Sequence, residues 1–338
     1  MSLKDLGEFG LIEMIKSRVH KSAPDLLVGI DDDAAVFRLS KDRVALLTTD
    51  AFIEGVHFDL GYFTFYQLGW RALAANLSDI AAMAGLPKYA VVALGLPAGT
   101  SENSVMELYR GMSDMADEFH VLIVGGDTIK SPARIYISVT VLGEVEADKM
   151  TRRSTARVGE GIYVTGNLGC ACAGRRVLSS LEEALKQQFA STAEKHLCPM
   201  PRVEVARHLA ENFAIHSMID ISDGLASEIN HLCRLSEVGA VINETELPLN
   251  EEVKQIAKTF GQKALDYGLY GGEDFELLFT APREDRNEIL NACQQKFGLA
   301  CSLIGEVVEK TNGIKLKDRK NQLTPILRVG FDHFSSDV

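Results

Sequence analysis

The chain has 338 residues, 46% of them hydrophobic and 24% charged, with 28 glycines against 9 prolines. That length suits about two domains, each with its own core, and the composition excludes a disordered or fibrous chain. Thirty-five Lys and Arg against 47 Asp and Glu give a net charge of −12, and with no Lys/Arg run to bind phosphate backbone, nucleic acid is set aside as a partner.

In chain order, the first residues, Lys4, Asp5, Glu8 and Glu13 among them, lack the apolar stretch of a secretory signal. No apolar run approaches the ~18 residues of a membrane span, so a soluble cytoplasmic protein is expected. Residues 43–50 (RVALLTTD), 89–96 (YAVVALGL), 119–127 (FHVLIVGGD) and 134–143 (RIYISVTVLG) are short, β-branched and bounded by Gly, Pro or Asp, which predicts strands. Helical patterns at 66–84 and 102–119 lie between them. The polar stretch 144–160 sustains no apolar periodicity and marks a junction, predicted to divide the chain into domains of residues 1–148 and 149–338. Beyond it come a strand at 162–166, a glycine turn into a helix, helices near 180–196 and 201–212, and strands around 239–243, 275–280 and 301–309. Strands and helices mix without a regular βαβ cadence, which predicts an α+β protein of two α/β domains rather than a doubly wound sheet. The six cysteines fall in the second half without a CxxC pair, so buried or idle thiols are expected in place of zinc or redox chemistry.

Aspartate recurs at the ends of apolar runs: Asp31, Asp32 and Asp33 after VGI, Asp50 after LLTT, Asp127 after VLIVGG, and Asp220 with Asp223 in MIDISDGL. A carboxylate at the mouth of a buried strand is costly unless it is solvated, paired or bound to a cation. Singly, each reads as a helix cap or turn residue. Turn chemistry does not require Thr48-Thr49-Asp50, Gly125-Gly126-Asp127 and Asp220-Ile221-Ser222-Asp223-Gly224 to recur in one chain. Asp79 adds to the pattern, because Ala72, Ala75, Asn76, Asp79 and Met83 share a helical face whose small side chains leave room around the carboxylate.

Two unit charges about 4 Å apart repel by about 4 kcal/mol at an effective dielectric near 20, so a converging set of aspartates needs cations. The candidate ligands are all oxygen, which selects Mg²⁺ or Mn²⁺ over zinc or copper. Magnesium on a few carboxylates keeps open positions for phosphates, and ATP-dependent phosphoryl transfer becomes the leading chemistry. Gly169 to Arg176 (GCACAGRR) has Walker-like glycine spacing without the following Lys and Ser/Thr, and reads as a tight strand-to-helix turn. Gly271-Gly272-Glu273-Asp274 is either a glycine turn or a carboxylate displayed at a strand entrance. His57 is either a packing histidine or a phosphate contact.

Taken together and in order, IDDDAAV (30–36), TTD (48–50), EGVHF (54–58), NLSDIAAM (76–83), GGDT (125–128), TRRS (151–154), IYVTG (162–166), PMPR (199–202), DISDGL (220–225), GGEDFELLF (271–279) and GFDHF (330–334) resemble the thiamine-monophosphate kinase family. Gly7-Glu8-Phe9 extends the match nearly to the first residue. The wider superfamily includes aminoimidazole ribonucleotide synthetase, selenophosphate synthetase and a hydrogenase-maturation protein.

The resemblance implies that ATP and thiamine monophosphate give thiamine diphosphate and ADP, with several Mg²⁺ ions held by Asp33, Thr48, Thr49, Asp50, Asp79, Asp127, Asp220 and Asp223. It implies a catalytic set of Asp50, Asp127, Asp220 and Arg153, and ATP contacts from Gly126, Asp127, Arg153 and Ser222. Thiamine-side contacts are implied for His57, Glu273 and Phe331. The implied fold has aminoimidazole ribonucleotide synthetase-like N- and C-terminal domains. The N-terminal sheets pair in a homodimer, and the C-terminal domain completes the ATP cleft. One departure is visible: the family usually reads Gly-Asp-Asp where this chain has Asp31-Asp32-Asp33, so Asp31 is left unassigned. Because the acceptor is a phosphate that already carries about −1.5 to −2 charge, no protein general base is required. Two other readings stay open: another ATP-dependent member of the superfamily, or a protein that holds nucleotide or divalent ions without turnover.

Overall fold

The computed structural model describes residues 3–19, 23–327, 330–331 and 333–334; Asp332 of GFDHF and the side chain of Phe9 lie outside what is described. The N-terminal half opens with α1 (Leu3–Val19), kinked at Gly7. β1 (Leu26–Val28), β2 (Ala35–Arg38) and β3 (Arg43–Ile53) follow, then α2 (Phe65–Ala82), β4 (Leu86–Pro97), α3 (Glu102–Glu118), β5 (Leu122–Ser131) and β6 (Tyr136–Glu146). The strands form one sheet of order β1-β2-β3-β6-β4-β5. Only β4 and β5 pair in parallel, and α3 supplies the crossover that a parallel pair needs.

Thr64 starts α2 through a reciprocal capping box with Gln67, and the Ala- and Leu-rich run that follows has high helix propensity. Two glycines let α2 and α3 cross closely: a Cβ on Gly69 would stand 1.8 Å from the Leu108 carbonyl oxygen, and one on Gly111 1.9 Å from that of Tyr66. One face of the sheet packs on α2. The other is exposed and largely apolar, with Leu47, Leu142 and Tyr89 in one cross-strand row and Ile53, Tyr136 and Ile129 in another.

The C-terminal half contains β7 (Gly161–Thr165), α4 (Cys170–Leu178), α5 (Glu183–Gln188), α6 (Ala190–Leu197), α7 (Val203–Asn212), β8 (Ser217–Asp220), α8 (Leu225–Ser236) and β9 (Val238–Asn243). It continues through α9 (Glu251–Thr259), α10 (Ala264–Tyr270), β10 (Leu277–Ala281), α11 (Arg286–Phe297), β11 (Cys301–Glu309), β12 (Ile314–Lys317) and β13 (Leu323–Pro325). Its seven strands make a mixed sheet of order β13-β12-β9-β11-β7-β10-β8. The architecture is therefore two mixed sheets with helices, as the α+β expectation has it. The sheets fall on either side of residues 147–160. α7 and β8 pack on α2, so that helix lies between the two halves.

The helix expected near 180–196 is two short ones, broken at Phe189, which ends α5 and precedes α6. β5 begins at Leu122 rather than 119 because α3 runs on and His120 takes a left-handed φ of 56°. All six cysteines are free thiols.

Candidate active site

A cleft of about 490 Å³ opens between the halves. Asp33, just before β2, Asp79 in the last turn of α2, and Asp220 at the end of β8 each place a carboxylate oxygen within 4.8 Å of the other two. Their neighbours fix them. Ser78 Oγ donates to Asp220 Oδ2 at 2.6 Å, and Thr48 Oγ1 donates to Asp79 Oδ2 at 2.5 Å. Asp50 lies two residues along β3 from Thr48 and so shares its face, and its backbone N–H donates to Asn76 Oδ1 at 3.1 Å. Asn76 is oriented in turn by its Nδ2 bond to the Ala72 carbonyl one turn back.

Burial pushes these carboxyls up, and their mutual repulsion adds to it. Asp50 rises to about 6 and Asp220 to about 8, each with Asp33 as the second cause, and Asp79 stands well above the ordinary range with Asp50 beside it. Asp223 rises to about 7 through burial and then Glu8. Asp33 Oδ2 is buried without a hydrogen-bond partner. An orphaned acceptor inside an all-oxygen set fits a hard cation such as Mg²⁺.

The aspartates of the 31–33 run divide their work. Asp31 pairs with Lys16 Nζ of α1 at 2.6 Å. Asp32 Oδ1 accepts the backbone N–H of Asp33 and that of Arg153, both at 3.2 Å. Asp33 contacts the Arg153 guanidinium through Oδ1. Arg153, for which the resemblance implies a nucleotide contact, is engaged with Asp33 and is not among the residues lining the cleft.

Of the remaining expected ligands, Thr49 lines the cleft and Asp127 does not. Thr49 alternates to the opposite face of β3 from Thr48 and Asp50, where its hydroxyl donates to the Val139 carbonyl at 3.1 Å and accepts from Thr140 at 2.9 Å. Gly126 and Asp127 lie on β5, and Asp127 falls in a cross-strand row with Ala93, Ser138 and Ala51, of which Ala51 alone lines the cleft.

Ser222 and Asp223 line the cleft from the turn after β8. The two glycines before Glu273 let this turn approach closely, since a Cβ on Gly272 would stand 2.3 Å from the Ser222 carbonyl oxygen. The Glu273 N–H donates to that oxygen at 2.6 Å, with Glu273 itself at φ 71°. Asp274 turns away and accepts the backbone N–H groups of Gly169 at 2.6 Å and Ala171 at 2.9 Å, so it occupies the start of α4. The 169–176 segment, expected to be a turn, is the N-cap Gly169 followed by the first two turns of α4, and the strand-to-helix turn itself falls at 166–169.

On the thiamine-side candidates, His57 Nδ1 accepts the Ile53 N–H at 3.0 Å, and its Nε2 stands 3.4 Å from Nε2 of His333. Burial and then His333 hold the His57 imidazole below its usual value. Phe331 lines the cleft, its N–H donates to the Asp223 carbonyl at 3.1 Å, and its ring meets His333 edge-on at 4.8 Å. Glu273 also lines the cleft; burial alone would raise its carboxyl, but Arg71 and then His196 hold it well below the usual range.

Four residues absent from the sequence reading join the site. Glu228 is buried, and its Oε1 accepts the Asp223 N–H at 2.9 Å. Arg175 is the one Lys or Arg among the described residues lining the cleft. Arg71 and His196 back Glu273. For Arg71 and Glu228 a signal existed: each is a charge on an otherwise apolar helix face.

Family models for AIR synthase related proteins match the chain twice, the N-terminal domain over residues 31–145 and the C-terminal domain over 157–317. Thiamine-monophosphate kinase of Bacillus subtilis is 36% identical over 97% of this chain and 100% of its own length. That of Aquifex aeolicus is 39% identical over 86% of this chain and 91% of its own. The solved structure of AaThiL complexed with AMPPCP and TMP superposes with a TM-score of 0.86 at 34% identity, covering 98% of this chain and 99% of that one. A crystal structure of hydrogenase maturation protein HypE in complex with ATP shares the fold at 20% identity and TM-score 0.68, over 97% of this chain and 98% of that one.

Proposed function

The chain belongs to the thiamine-monophosphate kinase family, and from that footing we propose that it transfers the γ-phosphoryl group of ATP to thiamine monophosphate, giving thiamine diphosphate and ADP. The observation that carries this reading is the convergence of Asp33, Asp79 and Asp220, with one buried oxygen unpartnered, beside a cleft between two halves. Asp33, Asp79 and Asp220 would hold Mg²⁺, with Thr48, Asp50 and Asp223 beside them. When bound, that metal neutralises phosphate charge and aligns attacking and leaving oxygens.

The chain's own residues supply the rest. Ser78 and Thr48 hold Asp220 and Asp79 by hydrogen bonds, so the carboxylates are set before substrates arrive. The acceptor phosphate needs no proton removed, which accords with a site whose buried bases are acidic groups engaged with one another. His57, accepting at Nδ1, carries its proton at Nε2 and offers that N–H to an anionic oxygen. Phe331 offers a ring for stacking, Glu273 an acceptor for an amine or ring nitrogen, and Ser222 a hydroxyl at the nucleotide end.

The exposed apolar face of the N-terminal sheet supports pairing with a second copy of this chain, since an unpartnered apolar patch of this kind marks an interaction surface. Asp127 and Gly126, on that sheet, would act there from the dimer. No described helix is long and apolar enough to cross a membrane, and an ATP-consuming biosynthetic step suits the cytoplasm.

The test is release of ADP by the purified protein with ATP and Mg²⁺, comparing thiamine monophosphate, free thiamine and no acceptor, with the product followed by chromatography. Equal amounts of ADP and thiamine diphosphate, formed only with the monophosphate, are expected. ADP release with another acceptor and none with thiamine monophosphate would overturn the reading.

A further inference from the structure

Arg71 heads the large side chains with no exposed surface, and nothing in the metal cluster accounts for it. A guanidinium withdrawn completely from water is strongly disfavoured unless other groups replace the hydration shell. Around Arg71 those groups are specific. Nη1 donates to the His196 carbonyl, and Nη2 lies against Glu273 Oε1. The rings of Phe63 and Phe275 flank the guanidinium, each with its centroid 5.8 Å from Cζ. His196 is equally buried, and its Nδ1 stands 3.3 Å from the second oxygen, Glu273 Oε2. Both oxygens of one carboxylate are thereby held from behind, by residues of α2 and α6.

Glu273 itself is not deeply placed. Its side chain is 30% exposed and lines both the main cleft and a smaller adjoining pocket of about 240 Å³. Its backbone sits in the left-handed region that non-glycine residues enter rarely, and such strain persists only where the surroundings over-determine it. A mere tie between halves would require neither a strained backbone nor an open carboxylate.

We infer that Arg71 and His196 are positioning residues that fix the Glu273 carboxylate, ionised and in one orientation, at the junction of the two pockets to receive an N–H donor of the acceptor substrate. The inference rests on the function proposed above and deepens it. It names how the acceptor end of the cleft is held, as distinct from the metal cluster. The partner it recognises is a neutral or cationic nitrogen heterocycle bearing an amine, because a carboxylate locked in its ionised form accepts hydrogen bonds and donates none. Arg suits the role better than Lys, since its planar fork can hold the His196 carbonyl and Glu273 at once.

The test measures KM and kcat for each substrate, with melting temperature, in Arg71→Lys, Arg71→Met and the double variant Arg71→Met/Glu273→Gln. Arg71→Lys keeps the charge and loses the fork; the KM for thiamine monophosphate is expected to rise about tenfold, with the KM for ATP within about twofold of wild type. The double variant removes the buried cation together with the partly exposed carboxylate it faces, so its melting temperature should recover relative to Arg71→Met while its KM for thiamine monophosphate stays raised. A structural tie alone would restore both. The inference is overturned if a folded Arg71→Lys leaves the KM for thiamine monophosphate unchanged or raises both KM values equally. It is also overturned if the double variant regains the wild-type value. Should Arg71→Lys fail to fold, the double variant decides alone. Absence of thiamine diphosphate formation by the wild-type protein would defeat the proposed reaction itself, a result readily told apart from any of these.

Discussion

Arg153 contacts one carboxylate oxygen of Asp33 and leaves the other, Oδ2, buried and without a hydrogen-bond partner. One oxygen is engaged by protein, and its twin is open to a further ligand. The same carboxylate offers an oxygen within 4.8 Å of those of Asp79 and Asp220, an arrangement that suits a cation.

Removing a carboxylate from this set should therefore separate stability from activity. Asp79→Asn in the metal-free protein relieves repulsion with Asp50 and is expected to raise the melting temperature by about 2–4 °C. The same variant should lose turnover by a factor of about 100 or more, together with the Mg²⁺-induced thermal shift. Calorimetry with EDTA and with Mg²⁺ checks both halves, and an unchanged Mg²⁺ shift would remove Asp79 from the ligand set.

The raised carboxyls also set a pH dependence. In the folded chain Asp50 titrates near 6, Asp223 near 7 and Asp220 near 8, all above the unfolded value near 4. Between those limits the folded state binds more protons than the unfolded one, so stability falls as pH rises. Without divalent ions the protein should melt higher at pH 5 than at pH 8.5. Mg²⁺ should flatten or reverse that slope, and a metal-free melting temperature that climbs with pH would contradict it.

Gly330 and Phe331 bring the end of the described chain onto Asp223. A Cβ on Gly330 would stand 1.8 Å from the Asp223 carbonyl oxygen, so Gly330→Ala must push the segment off the cleft. Both Gly330→Ala and Phe331→Ala are expected to raise the KM for thiamine monophosphate about tenfold, and that for ATP far less. Equal effects on the two substrates would sink the stacking role.

Asp127 gives a different separation. It lies on the exposed sheet face, away from the three clustered carboxylates. Asp127→Asn should leave the Mg²⁺-induced thermal shift largely intact while raising the KM for ATP. Val91→Glu, on the same face, should shift the protein from dimer to monomer in sedimentation. A dimer that survives Val91→Glu would mean that another surface pairs.

Much of this arrangement was legible in the sequence, and the reasons are local. The strands carrying Thr48 and Asp50, and the helix carrying Asn76 and Asp79, have strong periodicity, so both elements and the carboxylates they display are readable. That a strand turns into a helix near Gly169 was readable from the glycines, but the helix begins at Cys170, so most of 169–176 is helix where a turn was expected. What was not legible is what tertiary contact alone decides. β1 and β13 are three residues long and carry no period. Nothing near Arg153 in sequence announces that its guanidinium will be taken by Asp33, 120 residues earlier. His196 reads as a helix residue until its ring is found behind Glu273. The alternation of a strand tells that Thr48 and Thr49 point apart, but only the packing of α2 on β3 shows which of them meets Asp79.

The acidic triad draws its members from far apart in synthesis order: Asp33 and Asp79 are made early, and Asp220 only after the first sheet is complete. A nascent chain that has emerged through Glu146 can close its sheet over α2 yet owns just two of the three carboxylates. It carries less internal repulsion than the finished enzyme and little hold on a divalent ion. The electrostatic cost of the centre thus arises late in translation, when β8 docks on α2 and completes the set.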